Sequence, residues 1–154
     1  TAKDICNMHK VWLEEIYEWA GRYRKVNVSR GDFHFAAAEQ IPKLMAELEK
    51  GPLRKLTPCR FESLEEVIKA LSVVHTELVL IHPFREGNGR VARMLSILMA
   101  LQVGLPPLDF SWIVAKKKKE YIEAVQMGMS HNYAPMEKIF RAVIRKTLRT
   151  REQK

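Results

Sequence analysis

The chain has little that would staple a small protein together or seat it in a bilayer. Its 154 residues include two cysteines, Cys6 and Cys59. They lie far apart and have no Cys or His neighbour at metal-ligand spacing, which argues against a disulfide framework and a structural zinc site. Two reduced thiols in a cytosolic protein are expected instead. No window is apolar enough, for long enough, to cross a membrane. A basic, then apolar, then small-residue leader is missing at the start, so a cytoplasmic location is expected, with secretion as an effector left open. Thr1 stands where an initiating Met would, as in an excised piece or a chain that has lost residues upstream. There is no internal repeat, no Gly/Ser linker, no zinc-finger spacing and no aromatic RNA-binding motif. A membrane partner is therefore not expected, and nucleic acid is a weak reading.

What is present is enough for one domain over 1–154, large enough to bury a full core. Basic residues outnumber acidic ones 26 to 18, a net charge of +8, which favours anionic partners. The densest basic run, Lys116 to Lys119, reads as a solvated helix face.

Ile5, Met8, Trp12, Ile16 and Trp19 recur at helical spacing and predict an amphipathic helix over 4–19, stopped by Gly21. Residues 25–37 change period: Val26 and Val28, then Phe33 and Phe35, alternate around Ser-Arg-Gly-Asp as in a β-hairpin. A lone hairpin is marginal, so it must lean on the helices or wait for a partner strand. A short helix over 39–50 should close at Gly51-Pro52. Ser63 and Glu66 form a capping-box pattern before a helix to about Leu80. A second core helix, apolar nearly all round from Val91 to Val103, is expected to be central. Helical segments follow at about 112–130 and 135–150. The fold class is all-α, a mostly helical bundle with one small β-hairpin.

Between the two core helices lies HPFREGNGR, His82 to Arg90, which breaks the apolar pattern with titratable side chains. Pro83 keeps His82 from continuing the first helix. Gly87 and Gly89 let the backbone turn and approach a ligand at the start of the next helix, where free N–H groups and the dipole favour an anion. Arg90 and Arg93 can share a face there, and two guanidiniums over a ring of amides suit a polyphosphate. Without an anion they would oppose the dipole. Glu86 beside phosphates calls for a bridging cation, and Mg²⁺ typically takes one or two carboxylates plus substrate phosphates. His82, with an ordinary pKa near neutrality, suits a general base. Phe84 should point into the core and Arg85 to solvent. The contrasting reading, a basic module that docks acidic protein or nucleic acid without chemistry, gives Glu86 no reason to sit in the anion site.

These residues resemble a known signature. His82-Pro83-Phe84-x-Glu86-Gly87-Asn88-Gly89-Arg90-x-x-Arg93 matches every fixed position of the Fic (filamentation induced by cAMP) motif. HKVWLEEIYEWAGRYR, His9 to Arg24, resembles that family's first core helix, and SRGDFHFAAAEQIPKL resembles its flap and following helix. The resemblance implies transfer of AMP from ATP to a Ser, Thr or Tyr hydroxyl of a target protein, with release of pyrophosphate. It implies His82 as base, Glu86 as the Mg²⁺ holder, and Gly87, Asn88 and Gly89 around the α-phosphate. Arg90 and Arg93 would then hold the β- and γ-phosphates. Tyr121 would lie on the adenine side, and Arg30, Gly31, Asp32, Phe33, His34 and Phe35 would form a flap that takes the target as an added strand. Family members that act as kinases carry Lys where Gly89 stands, so glycine favours nucleotidyl transfer over a same-fold kinase or another phosphate-group transferase.

The sequence also departs from the pattern. Residues 1–154 contain no Ser/Thr-x-x-x-Glu-Gly/Asn helix motif. An inhibitory glutamate for Arg93 would have to come from a missing segment or from a separate antitoxin-like protein. Downstream, Tyr121 and Asn132 fit the family's adenine-side pattern, while Met129 and His131 do not.

Overall fold

The helix that carries the site at its end is α4 (Leu64–Ile81), and a computed structural model of the chain, describing residues 1–152, shows why it is central. Ser63 caps it: its hydroxyl accepts the Glu66 N–H at 3.2 Å and donates to the Glu66 carboxylate at 2.7 Å. The predicted box is thus half formed, with Glu66 answering the serine hydroxyl rather than the serine backbone. Val67, Ile68, Leu71, Val74 and Leu78 are buried along α4. Against them pack α2 (Ile41–Leu48), α5 (Asn88–Gln102), α7 (Lys118–Met127) and α8 (Ala134–Glu152).

The expectation that α5 would be central is corrected. Its main neighbours are α4 and α1 (Ala2–Leu13), and part of the opposite stripe faces outward. Leu98 and Leu101 are therefore 47% and 45% exposed. The first helix also departs from its periodicity. It begins on a capping box between Thr1 and Asp4 but ends at Leu13, and turns carry the chain to Ala20. Ile16, expected in the core, lies on the surface. The chain doubles back there so that the Gly21 N–H reaches His9 Nδ1 at 2.8 Å. A Cβ on Gly21 would stand 2.8 Å from Lys10 Cβ, so this glycine is a close contact against α1 rather than its cap.

The hairpin is in place but short. Ser29–Arg30 (β1) pairs antiparallel with Phe33–His34 (β2), Ser29 opposite His34 and Arg30 opposite Phe33. Gly31, at φ 58°, supplies the left-handed first position of the two-residue turn. Val26, predicted to alternate inward, is exposed, and its carbonyl is taken by the Arg24 side chain instead of a ladder. Gly51-Pro52 does not end its helix. A π turn, Glu49–Leu53, carries the chain into the single turn α3 (Arg54–Leu56); the wider turn accommodates a proline that has no N–H to give. The predicted 112–130 segment splits into α6 (Ser111–Lys116) and α7, because Lys117 leaves the helical region at φ −124°. On α8 the helical stripe Met136, Ile139, Phe140, Val143 and Ile144 is buried, while Leu148, further along the same stripe, is 38% exposed. No helix among the described residues is long and apolar enough to cross a membrane.

Candidate active site

At its C-terminal end α4 stops on His82, whose backbone is left-handed (φ 52°, ψ 58°) while its N–H still reaches the Leu78 carbonyl at 3.1 Å. Pro83 bars the α region to the residue before it, and a left-handed histidine is uncommon. The turn directs the imidazole into a cleft of about 450 Å³. Its Nδ1 lies 3.1 Å from the Val79 carbonyl, which can only accept, so the proton sits on Nδ1 and Nε2 carries the lone pair. Phe35 of the hairpin stacks on the ring at 3.7 Å. Burial, then the nearby Arg24 and Arg30 charges, push the His82 pKa down to about 4, against the partial opposition of the Val79 bond. The expectation of an imidazole titrating near neutrality is corrected: desolvation keeps it neutral at pH 7.

The loop after His82 is held from inside. Phe84 is fully buried and stacks on His9 at 3.8 Å. Asn88 is buried too, with Oδ1 accepting the Phe84 N–H and Nδ2 donating to the Phe84 carbonyl, both at 2.8 Å. Its side chain clips the loop, so any direct bond from Asn88 to a phosphate falls to its backbone. Gly87, the residue before α5, has φ 82°. A Cβ there would meet Trp12 Cζ3 at 2.9 Å, so the missing side chain also serves packing on α1, beside the predicted turn. Gly89 is the glycine on the ligand side, since a Cβ on it would lie 3.4 Å from Arg93 Nη1.

The cleft collects most of the predicted residues. His82, Glu86, Gly87, Asn88, Gly89, Arg90 and Arg93 line it, Tyr121 stands in the same lining, and Arg30, Phe33 and Phe35 reach it from the hairpin. Gly31, Asp32 and His34 do not line it. Arg30 and Phe33 are a cross-strand pair, so their side chains share the face that Ser29 and His34 turn away from. Arg85 is exposed, with its guanidinium 5.7 Å from the Trp19 ring. Asn132 lies outside the cleft; its side chain accepts the Ala134 N–H at 3.3 Å.

Charge is arranged unevenly. Arg90 is tied to Glu86 at 3.0 Å and lies over the Trp12 ring at 4.6 Å. Arg93 has no acidic partner within 4.0 Å among the described residues. With the start of α5 beside it, this half-buried guanidinium leaves the cleft positive. Tyr121 presents its ring to the cleft while its hydroxyl donates to His75 Nε2 at 2.8 Å. Burial raises the Tyr121 pKa to about 12 and lowers that of His75 to about 4.

Three residues that support the site were given no role by the sequence. His9 donates from Nε2 to the Glu86 carbonyl at 3.0 Å, and His75 ties α4 to α5 through Ser96 at 3.0 Å. Both stand on apolar helical stripes, Ile5-His9-Leu13 and Leu71-His75-Leu78, which is the signal that could have placed them inside. Arg24, 2% exposed, gave no such signal.

Set beside known proteins, the chain matches the Fic/DOC family over residues 1–100. The chain belongs to the Fic/DOC family. It is 29% identical over 137 residues to "Probable protein adenylyltransferase y4lH" of Sinorhizobium fredii, covering 89% of this chain and 69% of that protein. It is 31% identical to "Protein adenylyltransferase Fic" of Nematostella vectensis, over 97% of this chain but only 33% of the relative. A crystal structure of the BepC effector of Bartonella tribocorum with bound AMPPNP superposes with a TM-score of 0.73 at 27% identity, covering 92% of this chain and 73% of that one. The helical fold with one hairpin is thus a Fic fold.

Glu86 is the only carboxylate lining the cleft, and no cluster of three or more His, Cys, Asp or Glu able to hold a metal occurs among the described residues. One carboxylate beside a cationic anion site does not make a metal site of its own. It fits Mg²⁺ when phosphate oxygens supply the remaining ligands.

Proposed function

We propose that this domain transfers AMP from ATP to a hydroxyl of a target protein. The observation that carries the reading is an imidazole whose Nδ1 is held by the Val79 carbonyl, leaving Nε2 for a substrate, in one cleft with Arg90, Arg93 and a helix start. Relatives named protein adenylyltransferases and a similar structure with AMPPNP support it.

In this mechanism the triphosphate lies over the N–H groups that open α5, with Arg93 as its principal guanidinium and Arg90 joining after its bond to Glu86 is shared or released. Glu86 would hold Mg²⁺, which would supply charge neutralisation on the phosphates. Nε2 of His82 takes the proton of the acceptor Ser, Thr or Tyr hydroxyl. The hydroxyl oxygen forms a bond to the α-phosphorus, the bond to the bridging oxygen breaks, and pyrophosphate leaves with its electron pair. The backbone amides from Gly87 to Gly89 face the charge that grows on the α-phosphate oxygens. The ring of Tyr121 borders the base. The outer edge of the hairpin takes the acceptor segment as an added strand, with Arg30, Phe33 and Phe35 facing the nucleotide. Burial makes His82 a weak base, and the negative triphosphate offsets the Arg24 and Arg30 charges that depress its pKa.

Incubation with α-labelled ATP, Mg²⁺ and cell lysate tests the reading. Label is expected on protein, and His82→Ala is expected to remove it while the domain stays folded. Label from γ-labelled ATP alone would identify a kinase instead, and equal labelling by His82→Ala would overturn the mechanism. An antitoxin-like inhibitory protein, or an inhibitory segment outside residues 1–154, is the regulator this reading calls for. Its glutamate would pair with Arg93.

A further inference from the structure

Arg24 is a guanidinium buried to 2% exposure with no carboxylate among its partners. A charge taken out of water without a counter-ion is costly, and here only carbonyl dipoles compensate it. Its donors go in two directions. Nε donates to the His82 carbonyl at 2.7 Å, and Nη2 makes a long contact of 3.4 Å to the Ile81 carbonyl. Nη1 donates to the Val26 carbonyl at 2.7 Å, and Nη2 to the Ala36 carbonyl at 2.5 Å. The Arg24 backbone N–H adds a bond to the Pro83 carbonyl at 2.8 Å.

Capping the end of α4 explains only half of this. A cation suits the negative end of a helix, and the last carbonyls there need donors. The other two acceptors, Val26 and Ala36, are the two legs of the hairpin, one before β1 and one after β2. A planar fork is the one side chain that can hold both legs and the helix end in fixed mutual geometry. Meanwhile Phe35, next to the Ala36 leg, stacks on the His82 ring. The hairpin therefore grips His82 twice, by its ring through Phe35 and by its backbone through Arg24.

We infer that Arg24 is a positioning residue that couples the hairpin to His82, so that a segment docking on the hairpin edge fixes the base as it binds. Among the described residues, Arg24 is not part of the cleft lining and makes no hydrogen bond to the phosphate cradle from Gly87 to Arg93. Its bonds reach the site through His82 and through the two legs of the hairpin, not through that cradle. The catalytic part of this inference rests on the adenylyl-transfer reading; the mechanical part does not.

Arg24→Lys keeps the charge and loses the fork. Three measurements on it are needed: the affinity for Mg²⁺-ADP, the rate of adenylyl transfer, and the nitrogen resonances of the His82 ring together with amide exchange at residues 29–34. Nucleotide affinity within twofold of wild type is expected. Transfer should fall roughly tenfold to a hundredfold, the effect of displacing a reacting group by about 1 Å. The His82 ring resonances and the hairpin amides should change together. Transfer at the wild-type rate, or nucleotide affinity and transfer falling in proportion, would mean that Arg24 only holds the domain together and would overturn the inference. If the wild-type domain transfers no AMP at all, the functional reading fails, and the resonances still decide the coupling: a joint change upholds it and an unchanged His82 ring ends it. Should Arg24→Lys not fold, Phe35→Leu loosens the hairpin from its other grip. Faster exchange of the Arg24 Nε–H in that variant supports the coupling, and unchanged exchange refutes it.

Discussion

Gly87→Ala perturbs the one residue on which the catalytic loop, α1 and the start of α5 all close. The left-handed conformation at φ 82° disfavours any L side chain there, by about 1 kcal/mol. The new methyl would also meet Trp12 Cζ3 at 2.9 Å and Leu13 Cδ1 at 3.3 Å. Neither atom is the loose end of a long chain. Leu13 is a core residue, and the Trp12 ring lies under the Arg90 guanidinium. Overpacking of this kind costs about 1–3 kcal/mol, so the total is about 2–4 kcal/mol. Gly104 supplies the control: its φ is 76°, and no atom lies within 4 Å of where its Cβ would be. Gly104→Ala should lose only the conformational share, about 1 kcal/mol. Urea unfolding followed by circular dichroism reads both, and with a slope of roughly 2 kcal/mol/M the midpoints should fall by about 1–2 M and about 0.5 M. Because any shift of Trp12 reaches Arg90, Gly87→Ala should also weaken nucleotide binding, whereas Gly104→Ala should not. Equal midpoints for the two variants would refute the claim that Gly87 is fixed by its contact with α1.

Acid should destabilise the domain over a defined window. His75 and His82 are held neutral with pKa values near 4, below the ordinary 6.5, so the native state binds fewer protons than the unfolded chain between those values. Stability is full above pH 6.5 and falls as pH drops to about 4, at up to about 1.4 kcal/mol per pH unit for each histidine. Urea midpoints that stay level from pH 7 to 4.5 would contradict this. Arg93→Ala should weaken Mg²⁺-ATP binding at least tenfold, the loss of a charge-assisted pair worth about 1.5–3 kcal/mol. Arg90→Ala should cost less, because Arg90 must first give up Glu86; calorimetry giving the reverse order would show that the pairing at 3.0 Å does not govern the cradle.

The sequence was legible where local chemistry decided the structure. Ser63, Pro83 and Gly87 marked the helix ends that frame the loop, and the motif residues His82, Glu86 and Arg90 with Arg93 meet in one cleft. It misled where distant parts of the chain compete. The periodicity of Ile16 and Trp19 extended α1 on paper, but the bond from Gly21 to His9 turns the chain back at Leu13. The apolar circumference of α5 suggested burial on all sides, yet its main contacts are with α4 and α1, and Leu98 and Leu101 face out. The side chain of Asn88 also clips the loop to Phe84, a role the motif did not reveal, because a side-chain amide cannot announce which backbone it will meet. Arg24 was silent for the same reason: its acceptors are carbonyls of residues 26, 36, 81 and 82, and carbonyls leave no mark on a sequence.

The hairpin consists of two ladder pairs and a two-residue turn. So small a ledge offers a visitor mostly peptide groups and few side chains to discriminate with. If acceptors dock along it, the enzyme reads posture more than spelling: what qualifies a client is a stretch that can lie straight and bare, whatever letters it carries. Folded proteins would then be chosen by where they come undone.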